Sequence, residues 1–187
     1  MDRVEDTTCG RVYARKAFRA GLSQDIEYRI WQFWNEVQIM KRLSGHQHII
    51  RYAASYRCGR EIAFLVEPVA DSGSLADLLQ DIRDKGQPSL AERQILLHSI
   101  GCLAEGLAFI HGKTIRHKDI KPENILIHQG KVVYTDFGVA FDGSDVGSAT
   151  TIGIPDGFSR RYCAPEVVAR QPGPRNERTD IFSLGCV

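Results

Sequence analysis

Residues 115–124 read IRHKDIKPEN, and His117, Asp119, Lys121 and Asn124 bring an imidazole, a carboxylate, an ammonium and an amide into this one short stretch. A second carboxylate, Asp136, follows in TDFG (135–138). A carboxylate and an amide held close together can bind a hard cation such as Mg2+, which takes a few oxygen ligands from protein and the rest from phosphate or water. The other carboxylate can accept a proton from an incoming hydroxyl. Phosphoryl transfer is mostly positioning and charge neutralisation, and such a set of side chains suits it.

These charges need elements to hold them. The polar decapeptide lies between the apolar runs LAFI (107–110) and ILI (125–127), so it reads as a loop between buried elements. Upstream, Leu96, Ile100, Leu103, Leu107 and Ile110 mark a helical stripe. Ser89 and Glu92 give it a capping box, and His111-Gly112 ends it. Downstream, ILI, a turn at Gln129-Gly130 and VVYT (132–135) predict a short hairpin. Residues 138–161, rich in Gly, Ser, Thr and Asp, predict a long loop. Nearer the start, VYARKAF (12–18) alternates as a strand does, with Val12, Ala14, Lys16 and Phe18 on one face. Ile26, Ile30, Phe33, Val37 and Met40 then step by four and three, which predicts a helix ending at Ser44-Gly45. Two further strands are expected at 48–56 and 61–67, and the polar VADSGSL after Pro68 reads as a linker between two lobes.

Composition narrows the class. The chain has 187 residues, 43% of them hydrophobic and 25% charged, as in an ordinary globular protein with a substantial core. A net charge of +1 makes no case for a nucleic acid or a membrane surface as partner. The N-terminus MDRVEDTTCG has no apolar signal core, and no run is expected to reach the length of a membrane span, so a cytoplasmic or nuclear location is expected. The five cysteines are scattered without CxxC spacing and read as reduced thiols.

Taken in order, the motifs resemble those of the eukaryotic protein kinase catalytic domain, from about residue 10 to the end. YARK (13–16) resembles the phosphate-binding lysine strand, NEVQIMKRL the helix whose glutamate pairs that lysine, HKDIKPEN (117–124) the catalytic loop, and DFG (136–138) the magnesium motif. APE (164–166) resembles the close of the activation segment, and TDIFSLG (179–185) the buried helix whose aspartate braces the catalytic loop. The resemblance implies an α+β fold of two lobes: a small-lobe part at 1–67, a hinge at 68–73 and a mainly helical large-lobe part at 74–187. It implies that Asp119 positions and deprotonates the substrate hydroxyl, that Lys121 neutralises the transferring phosphoryl group, and that Asn124 and Asp136 hold Mg2+. Lys16, fixed by Glu36, would orient the ATP phosphates. Ala14 and Leu126 would sandwich the adenine, with residues 67–69, including Glu67 and Val69, as the hinge that hydrogen-bonds it. Met40, Tyr52, His117 and Phe137 match the hydrophobic stack that links the lobes. Lys121, with Ser159 five residues before Ala164, matches the serine/threonine rather than the tyrosine class, so the expected partner is a protein with Ser or Thr acceptors.

Each piece alone is weak: a lone DFG is usually a turn, and a lone lysine on a strand is usually a solvated charge. Their ordered agreement is the signal. Thr150 and Thr151 lie in the 138–161 loop, as candidate phosphosites or as plain polar residues. Three departures stand out. Lys118 replaces the arginine that clamps a phosphorylated loop, and it lacks that residue's bidentate fork. No G-x-G-x-x-G precedes Lys16, where two strands and a phosphate-covering loop are expected. The sequence stops at Val187, inside the helix that starts near Asp180, which leads to the expectation of a fragment. Beside the kinase reading stand a non-catalytic nucleotide-binding or scaffold module, favoured by the missing glycines, and a remnant that does not fold alone.

Overall fold

A computed structural model describes residues 1–19, 26–147, 150, 159–169 and 175–187. The first strand, β1 (Asp2–Glu5), was not expected from the sequence. It lies antiparallel to β2 (Val12–Arg19), with Arg3 opposite Ala14. One of the two strands that the resemblance places ahead of the lysine is therefore present. The turn between them is closed by Asp6, whose carbonyl accepts from the Gly10 N–H at 2.8 Å. Gly10 sits at φ +69°, a left-handed conformation that favours glycine.

Helix α1 (Ile26–Arg42) follows, then β3 (Arg51–Cys58) and β4 (Glu61–Glu67). The four strands form one antiparallel sheet in the order β1-β2-β4-β3. Phe33, Val37 and Met40 are buried on α1 as the stripe predicts, but Ile30 is 41% exposed and lies off that face. The strand expected at 48–56 begins only at Arg51. His48, Ile49 and Ile50 instead dive into the core, where Ile49 bridges to Tyr134 and the Ile50 N–H donates to the Tyr134 carbonyl.

From β4 the chain crosses to α2 (Leu75–Lys85), which Ser74 and Asp77 cap reciprocally. The crossing is tied down: the Ile127 N–H donates to the Gly73 carbonyl at 2.9 Å, and the Ser72 N–H to the Ile127 carbonyl. Helix α3 (Leu90–Gly112) carries the expected Ser89–Glu92 capping box. It buries Leu103, Leu107 and Ile110, while Ile100, expected on the same stripe, is 72% exposed. By length and composition α3 is also apolar enough to cross a membrane, contrary to the sequence expectation. Its inner face is instead occupied by protein. The Tyr134 hydroxyl donates to the Leu103 carbonyl, and a Cβ at Gly106 would come within 3.1 Å of the Tyr134 ring and 3.2 Å of His48.

The polar stretch at 117–124 runs from β5 (Ile115–Arg116) through a short 3-10 turn (Pro122–Asn124) to the hairpin of β6 (Ile125–His128) and β7 (Lys131–Tyr134). The region expected to be one featureless loop contains β8 (Phe141–Asp142), paired with β5, and a 3-10 turn at Ser144–Val146. Thr151 lies outside the described residues. Two helices close the order, α4 (Pro165–Val168) and α5 (Arg178–Gly185). One hydrophobic cluster runs through both lobes, from Phe33, Val37 and Phe64 to Leu107, Ile127 and Phe137, so the cleft elements share a single core.

Candidate active site

The loop at 117–124 is knitted by short-range bonds. The Asn124 Nδ2 donates to the Asp119 carbonyl at 2.8 Å and to its Oδ2 at 3.0 Å. Lys121 Nζ lies 2.7 Å from the same Oδ2. The other carboxylate oxygen, Oδ1, accepts from the Ser159 hydroxyl at 2.7 Å, and Lys121 Nζ donates to Ser159 at 2.9 Å. Asp119, Lys121 and Ser159 thus form a closed triangle at the mouth of the loop.

Beneath it sits Asp180, 1% exposed, near the start of α5. Its carboxylate accepts the backbone N–H of His117 at 2.8 Å and of Lys118 at 2.9 Å. His111 of α3 approaches the same carboxylate at 3.1 Å. Burial alone would raise this carboxyl, but the bond from His111, the His117 ring and the two N–H groups hold it below the ordinary aspartate value. Lys118 takes φ +69°, and the brace to Asp180 holds its backbone there. His117 is fully buried, with Nε2 at 3.0 Å from the Thr135 carbonyl and its ring 4.8 Å from Phe137. It belongs to the scaffold. Met40 and Phe137 are buried in the same cluster, and Tyr52 packs against it partly exposed.

Across the cleft, Lys16 of β2 reaches two carboxylates at once. Its Nζ lies 2.8 Å from Glu36 Oε2 on α1 and 2.9 Å from Asp136 Oδ1. Asp136 has φ +62°, a position strained for a non-glycine residue and fixed by these contacts. One ammonium between two carboxylates divides them. Burial pushes the Glu36 carboxyl up to about 7, with Lys16 pulling it down and Asp136 pushing it further up. Asp136 is also penalised by burial, yet Lys16 holds it below its ordinary value. Lys16 is itself raised, because its two carboxylates outweigh its desolvation.

Asn124 and Asp136 each carry an oxygen donor of the kind a hard cation takes. The Asn124 amide nitrogen is used on Asp119, which aims its carbonyl oxygen elsewhere, and the Asp136 side chain is 44% exposed. Among the described residues no group of three His, Cys, Asp or Glu could hold an ion unaided. Two protein oxygens completed by phosphate oxygens fit Mg2+, which is seldom caged by protein alone. The two motifs are joined directly, since the Thr135 N–H donates to the Asn124 carbonyl at 3.0 Å.

The remaining expected residues lie on β2, β4, β6 and the crossing after β4. Ala14 is buried on β2 opposite Val66, and Leu126 is half-buried on β6 opposite Val133. Val69 packs against the core, and the Glu67 side chain pairs with Arg51. Sequence reasoning missed Asn35. Its Nδ2 donates to the Ala140 carbonyl at 2.9 Å and approaches the Phe137 and Gly138 carbonyls at 3.4 Å, which ties α1 to the DFG turn. Its position next to Glu36 was the only signal.

A family model described as a protein kinase domain matches residues 3–187. Serine/threonine-protein kinase 16 of Homo sapiens is 34% identical over 199 residues, which take in all of this chain and 63% of that protein. A probable serine/threonine-protein kinase of Dictyostelium discoideum is 35% identical over 152 residues, 76% of this chain and 11% of the relative. MAP kinase kinase kinase wis4 of Schizosaccharomyces pombe is 30% identical over 191 residues, 95% and 13% respectively. The chain spans less than two thirds of the length of each of these relatives.

Proposed function

This chain belongs to the protein kinase family, and from that premise we propose that it transfers the γ-phosphate of ATP, with Mg2+, to serine or threonine hydroxyls of a protein substrate. The observation that supports this best is the triangle at Asp119: a serine hydroxyl, Ser159 Oγ, donates to the Asp119 carboxylate while Lys121 contacts both. A substrate hydroxyl needs the same two groups, an anion to take its proton and a cation beside the oxygen.

In this reading Asp119 orients the acceptor hydroxyl and takes its proton as the new bond forms. Lys121 offsets the charge that gathers on the phosphoryl oxygens. Lys16, held by Glu36, orients the α- and β-phosphates. Ala14 and Leu126 enclose the adenine, and the backbone of residues 67–69 offers it hydrogen bonds. Asn124 and Asp136 would hold Mg2+, which when bound neutralises phosphate charge. The serine/threonine class is favoured by the Lys121–Ser159 contact and by the names of the relatives.

The test pairs transfer with binding. The chain is incubated with labelled ATP, Mg2+ and a serine- and threonine-containing protein, and Asp119→Asn is run beside it. The variant should lose about 10²- to 10⁴-fold in transfer, the usual worth of a positioned general base. Its thermal midpoint should still rise with Mg2+ and ATP as the parent's does. Nucleotide binding without transfer in the parent would overturn the reading and assign a binding module instead. Equal loss of binding and transfer in the variant would remove Asp119 from the role given to it.

A further inference from the structure

Helix α1 carries Glu36, and its apolar face is sunk in the core: Phe33, Val37, Met40 and Leu43 are buried. Apolar contact is not directional, so it keeps a helix on its lobe without fixing where along the lobe it sits. Directional bonds must do that, and two side chains supply them. Asn35 donates to the Ala140 carbonyl at 2.9 Å. Arg42, about two turns further on and on the same face, reaches the same segment beyond that point. Its Nη1 pairs with the Asp142 carboxylate and donates to the Ser144 hydroxyl at 3.2 Å. Its Nη2 donates to the Lys113 carbonyl at 3.0 Å, just past the end of α3.

The far side of this tie is itself fixed. Phe141 and Asp142 form β8, which pairs with β5, Asp142 opposite Ile115, and β5 leads straight into His117. The Gly143 N–H donates to the Thr114 carbonyl at 2.9 Å, and the Ser144 N–H to Asp142 Oδ1 at 3.0 Å. Burial would raise the Asp142 carboxyl, but the bonds from Arg42 and Ser144 hold it below the ordinary aspartate value, so it meets Arg42 as an anion. A lone ion pair at a surface is worth little. Here one planar guanidinium gathers acceptors from two parts of the chain, so its fork fixes a direction as well as a charge. The tie stands about 9 Å along the helix from Glu36, at 1.5 Å per residue. Held at Asn35 alone, α1 can pivot, and the second tie removes the pivot.

We propose that Arg42 is a positioning residue: by tying the end of α1 to Asp142, Ser144 and the Lys113 carbonyl, it sets the place of Glu36 against Lys16. The proposal rests on the reading of Lys16 as the group that orients the ATP phosphates, but the seating of α1 is measured apart from transfer. The chain's two tryptophans, Trp31 and Trp34, both lie on α1, so tryptophan fluorescence reports on that helix alone. The parent is compared with Arg42→Glu, with Asp142→Arg and with the double swap. For each, the decay of tryptophan anisotropy is followed well below the unfolding midpoint. The rise of that midpoint with Mg2+ and ATP, and the KM and kcat of transfer, are measured beside it.

Each single variant should show a larger fast-decaying fraction than the parent and a smaller midpoint rise. Its KM for ATP should increase about 5- to 10-fold, while kcat and the KM for the protein substrate change less than about 2-fold. A plain loss of stability does not divide KM from kcat in that way. The swap restores the ion pair but not the bond to the Lys113 carbonyl, because an ionised glutamate has no donor, so it should recover most of the loss rather than all of it. Single variants with the parent's anisotropy and midpoint rise overturn the proposal, and so do single losses that the swap leaves uncorrected. If the anisotropy and the nucleotide response follow the proposal while the parent transfers no phosphate, the tie stands and the kinase reading falls. If the parent transfers and the single variants match its KM for ATP, the kinase reading stands and the positioning role falls. If the parent binds no nucleotide, the anisotropy decays decide alone.

Discussion

The two charged clusters of the cleft are assembled differently. Lys16 meets Glu36 and Asp136 across 20 and 120 positions of sequence, so three separate elements must arrive together. Asp119, Lys121 and Asn124 come from one loop, whose internal bonds span five residues or fewer and whose backbone is pinned by Asp180. The first cluster is a clamp made of charge: one ammonium, two carboxylates, and a division of protonation between them. The second is a loop whose backbone N–H groups are pinned on Asp180, and its carboxylate is aimed by the Asn124 amide, the Ser159 hydroxyl and Lys121. Charge compensation should therefore govern how the first responds to pH, and buried hydrogen bonds should govern how the second responds to mutation.

The largest effect should come from removing the pin. Asp180→Ala takes the acceptor from the buried N–H groups of His117 and Lys118 and from His111. Each buried donor left unpaired costs about 1–3 kcal/mol, so the chain should lose about 3–5 kcal/mol of stability by denaturant titration. Asp180→Asn, which keeps one acceptor oxygen, should lose less. A variant with parent-like stability would mean that the loop holds its shape unaided, and the contrast between the two clusters would fail.

What could be read in advance follows the same division. Asp119, Lys121 and Asn124 were legible because the loop carries its own geometry: residues that touch are near in sequence. The pairing of Lys16 with Glu36 was legible only through resemblance, since no spacing rule joins a strand to a helix 20 residues on. Asn35 was invisible because its partners are carbonyls, and any residue supplies a carbonyl. β1 was missed because three of its four residues, DRVE, are charged and exposed, and a lone valine makes no pattern. What makes them a strand is the edge of β2, not their own pattern. The exposure of Ile30 and Ile100 shows the limit of stripe reading. Steps of three and four find a face of a helix, but its packed partners decide how wide the buried part is.

The clamp should show itself in the pH dependence of stability. Glu36 is raised to about 7, so between the ordinary glutamate value of about 4.3 and 7 the folded chain holds a proton that the unfolded chain has released. Where the folded state binds more protons, stability falls as pH rises, so this contribution declines through that window and levels off above it. Asp136 and Asp180 are lowered, and their contributions are lost only as pH drops below the ordinary aspartate range. Glu36→Gln should therefore flatten the curve between about pH 4.5 and 7, gaining on the parent by about 1–3 kcal/mol across it. Parallel curves for parent and variant would show that Lys16 neutralises Glu36 fully and that the two carboxylates do not compete.

The smallest effect separates aim from charge within the loop at 117–124. Ser159 links Asp119 to Lys121, but these two also touch directly at 2.7 Å, so the pair survives when the hydroxyl is gone. Ser159→Ala should leave stability within about 0.5 kcal/mol, because the residue is partly exposed. It removes one hydrogen bond from each partner, worth about 1 kcal/mol, and should lower kcat/KM by roughly 5- to 10-fold. Ser159→Thr keeps the hydroxyl and should restore most of the loss. If alanine cost as much as Asp119→Asn, the loop would owe its aim to Ser159 rather than to Asn124. If alanine cost nothing, Asn124 and Lys121 would hold the Asp119 carboxylate by themselves, and the contact with Ser159 would record only where a hydroxyl is welcome.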